Sequence, residues 1–222
     1  MNINIFNFFV NTISKKEFEN KRIIEIGSKD INGSIRPLIQ KFLNPKNYIG
    51  IDIKKGKGVD LICPAEKLVE HFGKESFDIV IATEILEHVK NWKVVIQNIK
   101  GILKQGGYLY ITTRSKGFPY HGYPYDFWRY EVEDMKNIFS DFKIINLEKE
   151  PGENGVFLKA SKQKIYKYVN LSNLNLYSMV LGKKVIFIPD NKSMPFSRKI
   201  KIVIYKYLVS FKYLVKRLIK FY

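Results

Sequence analysis

The sequence predicts an α/β fold: a doubly wound, mostly parallel seven-stranded sheet with an antiparallel edge hairpin, followed by a basic amphipathic C-terminal helix. Short runs rich in β-branched residues alternate with helical patterns up to residue 162, and this alternation requires crossover connections between parallel strands. The last two strand-like runs have no helix between them, so they should form the antiparallel hairpin. Basic residues accumulate beyond that point, which indicates a second region with a separate role.

The individual elements follow from local patterns along the chain. Strands are predicted at 22–27, 48–53, 59–62, 77–83, 108–113, 142–149 and 155–161. Helices are predicted at 34–43, 65–72, 91–104 and 131–139. The first ten residues, MNINIFNFFV, are apolar, but this run is shorter than the roughly 20 residues that span a bilayer. We expect it to pack on the domain, with a signal anchor as the alternative.

Composition divides the chain of 222 residues into a domain at 1–162, a connecting segment at 163–196 and a helical segment at 197–222. The formal net charge is +17, and from residue 162 onward fourteen lysines and arginines are opposed by Asp190 alone. The connecting segment contains one strand-like stretch, GKKVIFIPD. The single cysteine, Cys63, excludes an intramolecular disulfide and fits a reducing, cytoplasmic location.

The ends of the first two strands carry the residues of a nucleoside site. In doubly wound sheets, ligands bind beyond the carboxyl ends of the strands. Gly27 follows the first strand and permits a tight turn with close approach of the backbone to a ligand. Asp52 ends the second strand, 25 positions later, and can accept hydrogen bonds from both ribose hydroxyls of a nucleoside. The glycine spacing is not G-x-G-x-x-G, so it does not support a pyrophosphate cradle.

Five ordered segments between residues 21 and 161 resemble the class I S-adenosylmethionine-dependent methyltransferases: EIGS…NGS, YIGIDI, VDLICPAEKL, FDIVIATEILEHV and LKQGGYLYITT. The resemblance implies a Rossmann-like methyltransferase fold with S-adenosylmethionine as cofactor. It also implies eight cofactor contacts: Glu25, Gly27, Ser28 and Thr83 with the methionine part, Asp52 with the ribose, and Ile53, Cys63 and Ala65 with the adenine. Ser28 and Asp30 stand where further glycines are common in the family.

Methyl transfer to a hydroxyl also requires its deprotonation, by a general base or with the help of a metal ion. TEILEHV follows the fourth strand, and one turn of helix would bring its Glu84, Glu87 and His88 to one face. His121 and Asp126 follow the fifth strand and should reach the same rim. Carboxylates and imidazoles are typical ligands of divalent cations.

The E-x-x-E-H pattern with a later histidine resembles metal-dependent methyltransferases of ribose and quinone-ring hydroxyls. That resemblance implies a Mg²⁺ or Mn²⁺ site with four ligands: Glu84, Glu87, His88 and His121. Two alternatives remain open. The glutamate and histidine can instead bond to the backbone and support the loop, or His88 or His121 can act directly as a catalytic base, with Asp126 beside them.

The loop GFPYHGYPYDFWRY, at 117–130, contains seven aromatic residues and two prolines. Aromatic faces can stack on sugar rings or bases, and prolines reduce the entropy lost when a loop becomes ordered on binding. We therefore expect this loop to contact the acceptor through five residues: Tyr120, Tyr123, Tyr125, Trp128 and Arg129.

The C-terminal segment, from Arg198 to Phe221, has the pattern of an amphipathic helix. At 100° per residue its basic side chains fall within an arc of roughly 160°, opposite an apolar face that contains aromatic residues. This pattern predicts a helix that lies on an anionic membrane surface, which would place the protein at the inner membrane face. Docking on the domain, formation of a homodimer and binding of RNA remain open alternatives.

These patterns together predict an S-adenosylmethionine-dependent enzyme that methylates a sugar hydroxyl on a glycan or lipid-linked saccharide. One alternative is a metal-dependent ribose 2′-O-methyltransferase that acts on RNA. Another is a binding module that keeps the fold without catalysis.

Overall fold

A seven-stranded sheet forms the centre of the computed structural model, which describes residues 2–122, 125–165, 167–189, 200 and 204. Its strands are β1 Arg22–Ile26, β2 Asn47–Asp52, β3 Leu61–Ile62, β4 Phe77–Thr83, β5 Leu103–Arg114, β7 Phe142–Lys149 and β8 Gly155–Lys162. They lie in the order β3-β2-β1-β4-β5-β8-β7. Pairing is parallel from β3 to β5, whereas β8 is antiparallel to both β5 and β7. The predicted sheet and its antiparallel edge pair are thus confirmed.

Helices cover both faces of the sheet. They are α1 Ile3–Thr12, α2 Lys15–Phe18, α3 Arg36–Phe42, α4 Leu68–Phe72, α5 Trp92–Ile102 and α6 Val132–Ile138. Successive side chains of a strand point to opposite faces of the sheet, so the side chains of β4 pack into two separate hydrophobic cores. Ile79 and Ile81 pack with α1 to α3, whereas Val80 and Ala82 pack with α4 to α6. Burial on both faces explains why these strands are continuous apolar runs.

The apolar N-terminus packs on the domain as α1. Its side chains Ile5, Phe8 and Phe9 are buried, and the ring of Phe9 stacks on Tyr110 of β5 with the centroids 5.5 Å apart. Asn2 caps the helix by accepting a hydrogen bond from the backbone N–H of Ile5. Among the residues that the structure describes, no helix has the length and apolar character needed to cross a membrane.

The described part of the connecting segment packs against the domain at 1–162. Strands β9 Leu176–Ser178 and β10 Lys184–Val185 join β6 Trp128–Arg129 in a second, three-stranded sheet in the order β10-β9-β6. Leu171, Leu176, Val180 and Ile188 are buried in the same core as α5 and α6. The segment therefore contributes to the core, and β10 lies inside the stretch expected to be a strand.

The predicted amphipathic helix at 197–222 lies outside the described residues, apart from Ile200 and Ile204. Both are helical and exposed. The membrane, homodimer and RNA alternatives for this helix therefore stay predictions.

Candidate functional site

A cavity of about 1250 Å³ opens at the carboxyl ends of β1, β2, β4 and β5. All eight residues expected to contact the cofactor line it: Glu25, Gly27, Ser28, Asp52, Ile53, Cys63, Ala65 and Thr83. Ligands of doubly wound sheets occupy this edge because the strand order reverses there, here between β1 and β4. The cavity therefore has the position expected for a nucleoside-bearing cofactor.

The turn after β1 brings the backbone to the cavity wall. Gly27 has φ +74°, a left-handed conformation that favours glycine, and an added Cβ would approach Cδ1 of Ile85 to 2.7 Å. The backbone N–H groups of Gly27 and Ser28 both donate to the carbonyl of Ile51, at 2.9 Å. This pair of hydrogen bonds fixes the turn against the end of β2.

Asp52 is held at the end of β2 by its neighbours. Its Oδ1 accepts a hydrogen bond from the backbone N–H of Lys54 at 2.9 Å, and its carbonyl accepts one from Cys63 at 3.0 Å. Cys63 and Ala65 are buried, whereas Ile53 is 59% exposed. The carboxylate is therefore fixed at the cavity wall beside an exposed apolar side chain, which suits a ribose followed by an adenine ring.

Glu25 and Ser28 supply buried polar groups to the same wall. The hydroxyl of Tyr48 donates to Oε2 of Glu25 at 2.9 Å, while the buried Oγ of Ser28 has no hydrogen-bond partner within the described residues. Burial raises the pKa of Glu25 to about 7, although Tyr48 and Arg36 oppose the shift. Unsatisfied buried polar atoms are rare in folded proteins, so the Oγ of Ser28 fits a site that receives polar ligand groups.

The raised pKa of Glu25 has a measurable consequence for stability. Between about pH 5 and 7 the folded protein holds a proton that the unfolded chain has released, so this residue makes stability fall as pH rises. The shift from 4.5 to about 7 corresponds to about 3 kcal/mol. We expect Glu25→Gln, which resembles the neutral form, to make the decline in urea unfolding from pH 5 to 8 shallower, while the share of Glu84, whose pKa is also raised, remains.

The exposed carboxylate of Glu70 provides the control for this prediction. Glu70→Gln should give a stability profile parallel to that of the unaltered protein. If Glu25→Gln also gives a parallel profile, then Glu25 is ionised in the folded protein at pH 5 and the argument is wrong.

Glu84 differs from its expected position. It follows β4 with φ +54°, outside any helix, and only Leu86–His88 form a 3₁₀ turn. Its carboxylate contacts the guanidinium of Arg114, whose NH1 also donates to Glu150 at 2.7 Å. Burial and the nearby charge of Glu87 raise the pKa of Glu84 to about 8 despite Arg114. The expected single helical face with Glu84, Glu87 and His88 is therefore absent from this part of the described chain.

Glu87, His88 and His121 come together with their ligand atoms within 4.8 Å of one another. Both histidines line the cavity, and Glu87 lies behind them. Oε1 of Glu87 lies 3.9 Å from Nε2 of His88 and 3.8 Å from Nε2 of His121. Glu87 is fully buried, and its Oε2 accepts a hydrogen bond from Thr113 at 2.9 Å. Its Oε1 has no hydrogen-bond partner within the described residues. The cluster thus presents one carboxylate oxygen and two imidazole nitrogens toward a common point.

The other nitrogen of each imidazole has its own contact. Nδ1 of His88 lies 2.5 Å from the carbonyl oxygen of Tyr125, and Nδ1 of His121 lies 3.2 Å from Oδ2 of Asp126. Burial opposes ionisation of Asp126, but hydrogen bonds from Arg129 and His121 keep its pKa below the usual value. Outer contacts of this kind direct Nε2 of metal-binding histidines.

The donor set fits a divalent cation. Three protein ligands leave positions for other oxygen ligands, and the buried, unpartnered Oε1 of Glu87 is the kind of atom that an ion would satisfy. Imidazole nitrogens suit transition ions, whereas Mg²⁺ prefers oxygen ligands throughout. Of the two ions expected from the sequence, Mn²⁺ is therefore the better match.

The aromatic loop divides into a cavity-lining part and a core part. Tyr125 lines the cavity and is 51% exposed, with Phe118 and Phe127 beside it. Trp128 and Arg129, expected to contact the acceptor, are buried instead. Nε1 of Trp128 donates to the carbonyl of Lys90 at 3.1 Å. Tyr120 is half-buried and not part of the cavity lining, and Tyr123 lies outside the described residues.

Several residues that the sequence did not indicate also line the cavity. They include Asn2, Ile5, Ile31, Ile85, Val89, Lys90, Phe118 and Phe127. The first two belong to α1, whose packing across the sheet places its N-terminal end at the cavity. For the others, position immediately after a strand or within the aromatic loop was the available signal.

A family model described as a methyltransferase domain matches residues 7–150. The mitochondrial ubiquinone biosynthesis O-methyltransferase of Rattus norvegicus is 42% identical over 55 residues, which is 25% of this chain and 16% of that protein. The corresponding enzyme of Glaesserella parasuis is 42% identical over 62 residues, 25% of this chain and 26% of that protein. The match therefore spans about a quarter or less of these curated relatives.

Solved structures share the fold at low sequence identity. An S-adenosylmethionine-dependent methyltransferase from Mesorhizobium loti is 14% identical with a TM-score of 0.54, over 72% of this chain and 98% of that one. The 1,6-didemethyltoxoflavin-N1-methyltransferase of Burkholderia thailandensis, solved with S-adenosylhomocysteine, is 12% identical with a TM-score of 0.56, over 72% and 77% of the two chains.

Proposed function

This chain belongs to the class I S-adenosylmethionine-dependent methyltransferase family, and we propose that it methylates a ring hydroxyl that has a second hydroxyl beside it. The observation that carries the proposal is the convergence of Glu87, His88 and His121 at the rim of the cofactor cavity. A hydroxyl at this rim would lie between groups able to assist its deprotonation and the site of the methyl donor.

In this proposal the cavity wall binds the cofactor through its polar groups. The carboxylate of Asp52 accepts hydrogen bonds from the ribose hydroxyls, and Ile53 packs on the adenine. Ser28 Oγ and the Glu25 carboxyl face the polar methionine end, which is consistent with the unpartnered Oγ. S-adenosylmethionine, when bound, supplies an electrophilic methyl group on sulfur.

For deprotonation we propose a divalent cation held by Glu87, His88 and His121. A bound cation of this kind lowers the pKa of a coordinated hydroxyl. The chain's own contribution is to fix both imidazoles through their Nδ1 contacts and to keep one carboxylate oxygen free of protein partners. The alternative roles are support of the loop by Glu87 and His88, or direct base catalysis by His88 or His121 with Asp126 beside them, and they use the same geometry.

We propose a saccharide, on a glycan or lipid carrier, as the acceptor. The half-exposed ring of Tyr125 offers a face for a sugar ring next to the histidines, and Phe118 and Phe127 extend this apolar side. A dihydroxylated aromatic ring is the second candidate, because the curated relatives act in ubiquinone biosynthesis as O-methyltransferases. Both acceptors carry neighbouring hydroxyls, and so does the terminal ribose of RNA.

A panel of acceptors tests the proposal. Purified protein with methyl-labelled S-adenosylmethionine and Mn²⁺ would be offered glycolipid, catechol and RNA acceptors, with Asp52→Ala as the inactive control. Label in the glycolipid supports the saccharide, whereas label in catechol or RNA assigns the acceptor to that class. Cofactor binding without transfer to any acceptor would favour the non-catalytic binding module.

We further propose that the basic segment at 197–222 holds the protein on anionic membranes, at the cytoplasmic face. Each basic residue near such a surface contributes about 1 kcal/mol. We expect the full chain to float with vesicles that contain phosphatidylserine, and a chain that ends at residue 196 to stay in the soluble fraction. Equal flotation of both would contradict the proposal, and a salt-sensitive shift of labelled RNA or a dimer by sedimentation would favour the other partners.

A further inference from the structure

We propose that Asp126 and Arg129 form a buried positioning pair that fixes the orientation of His121. This inference rests on the proposed role of His121 at the cavity rim. It assigns a function to two residues that the sequence had placed in catalysis and in acceptor contact. Neither reaches the cavity lining, and both act through the imidazole.

Arg129 connects the two ends of the aromatic loop. Its guanidinium holds Asp126 through NH1 to Oδ1 at 2.5 Å and NH2 to Oδ2 at 2.8 Å. NH2 also donates to the carbonyls of Pro119 at 2.9 Å and Phe118 at 3.3 Å, and NH1 donates to that of Trp128 at 2.7 Å. All of these acceptors belong to the loop, so the guanidinium closes it around the residues just before His121.

Asp126 connects Arg129 to His121. Its Oδ2 accepts the backbone N–H of His121 at 2.7 Å and lies 3.2 Å from Nδ1 of the same residue. With Nδ1 facing Asp126, Nε2 faces Oε1 of Glu87 at 3.8 Å. The hydrogen bond fixes the backbone of His121. The 3.2 Å contact, which is not aligned as a hydrogen bond in this structure, places Nδ1 on the side of Asp126.

The pair itself is anchored from outside the loop. Trp128 and Arg129 form β6, which pairs with Ser178 and Tyr177 of β9, and the N–H of Met179 donates to the carbonyl of Phe127 at 2.8 Å. The N–H of Phe127 in turn donates to the carbonyl of Glu87 at 2.8 Å. The connecting segment therefore supports the same loop that carries His121.

Burial favours a positioning role over a purely stabilising one. Both side chains of the pair are fully buried. A buried ion pair often contributes little to stability, because removing two charges from water offsets their attraction. Such pairs do give fixed geometry, and a carboxylate that orients a histidine is a recurrent device of metal sites.

Asp126→Asn tests the inference, with Asp141→Asn as the matched control. Asp141 forms another fully buried ion pair, with Lys100 at 2.7 Å, that has no contact with the cluster among the described residues. Free Mn²⁺ would be followed by electron paramagnetic resonance in the apoprotein. We expect Asp126→Asn to weaken Mn²⁺ binding by about 10- to 100-fold and Asp141→Asn to leave it unchanged, although both lower thermal stability.

A second readout keeps the test independent of the metal. The chain has only three histidines, so the ¹⁵N shifts of the imidazoles can be assigned. We expect His121 to carry its proton on Nδ1 in the unaltered protein and to become a mixture of tautomers in Asp126→Asn. Should that variant fail to fold, Asp126→Asn with Arg129→Gln removes the pair without leaving a buried charge.

The outcomes separate this inference from the proposed function. If the tautomer and the Mn²⁺ affinity of the Asp126 variants match the unaltered protein, the positioning role is wrong. If Mn²⁺ fails to bind the unaltered protein but the tautomer still depends on Asp126, the metal proposal fails and the positioning role stands.

Discussion

Replacing Asp52 with alanine is expected to weaken binding of S-adenosylmethionine by about 100-fold or more. A carboxylate that accepts two ribose hydroxyls makes two charge-assisted hydrogen bonds, each contributing about 1.5–3 kcal/mol. The carboxylate lies at the cavity wall and is fixed by the N–H of Lys54 at 2.9 Å. Isothermal calorimetry with S-adenosylmethionine and S-adenosylhomocysteine measures the change directly.

Asp52→Asn is the informative control for this prediction. Its side-chain oxygen still accepts from Lys54, so the turn after β2 is kept while the charge is lost. We expect an affinity between those of the unaltered protein and the alanine variant. If the alanine variant binds the cofactor as well as the unaltered protein, the nucleoside does not lie at this end of β2.

The sheet and the cofactor wall could be predicted because they depend on local and repetitive signals. Strands such as Phe77–Thr83 are apolar throughout, so their burial on two faces is visible in the sequence. Gly27 and Asp52 end two neighbouring parallel strands, and the topology alone brings such residues to one edge. Both residues line the cavity.

The position of Glu84 could not be read from the sequence. Spacing of three and four residues suggested one helical face with Glu87 and His88, but that inference assumes helical dihedral angles from Glu84 onward. Glu84 instead has φ +54°, which non-glycine residues rarely adopt. Its partner Arg114 lies thirty positions later, so no local pattern in the sequence predicts this contact.

The aromatic loop shows the same limit on a larger scale. Residue type alone does not tell whether an aromatic ring faces a ligand or the core. Trp128 is buried, whereas Tyr125 is half-exposed. Trp128 belongs to β6, which pairs with β9 about fifty positions along the chain, and its side chain lies in the same core as Leu176 and Val180. Two-residue strands such as β6 have no sequence period, so this sheet is visible only in three dimensions.

Substitution at Glu87 and Glu84 should distinguish the three-residue cluster from the four-ligand set that the sequence suggested. We expect Glu87→Gln to weaken Mn²⁺ binding by about 100-fold and to lower kcat by about 100- to 1000-fold, because it removes the charge of a ligand. The amide oxygen can still accept from Thr113, so folding should be retained. Manganese titration and single-turnover transfer to the best acceptor measure the two effects.

Glu84→Gln is the matched comparison, since the two glutamates are close in sequence and Glu84 lines the cavity. Its carboxylate contacts Arg114, which also holds Glu150, so we expect Mn²⁺ affinity to change by less than about threefold. Equal losses in both variants would mean that Glu84 leaves Arg114 to join the ion, as the four-ligand pattern implies. Glu87→Gln could instead lose thermal stability while its Mn²⁺ binding and activity stay unchanged. That result would mean that Glu87 supports the loop, because its backbone carbonyl and its Oε2 already accept hydrogen bonds from the protein.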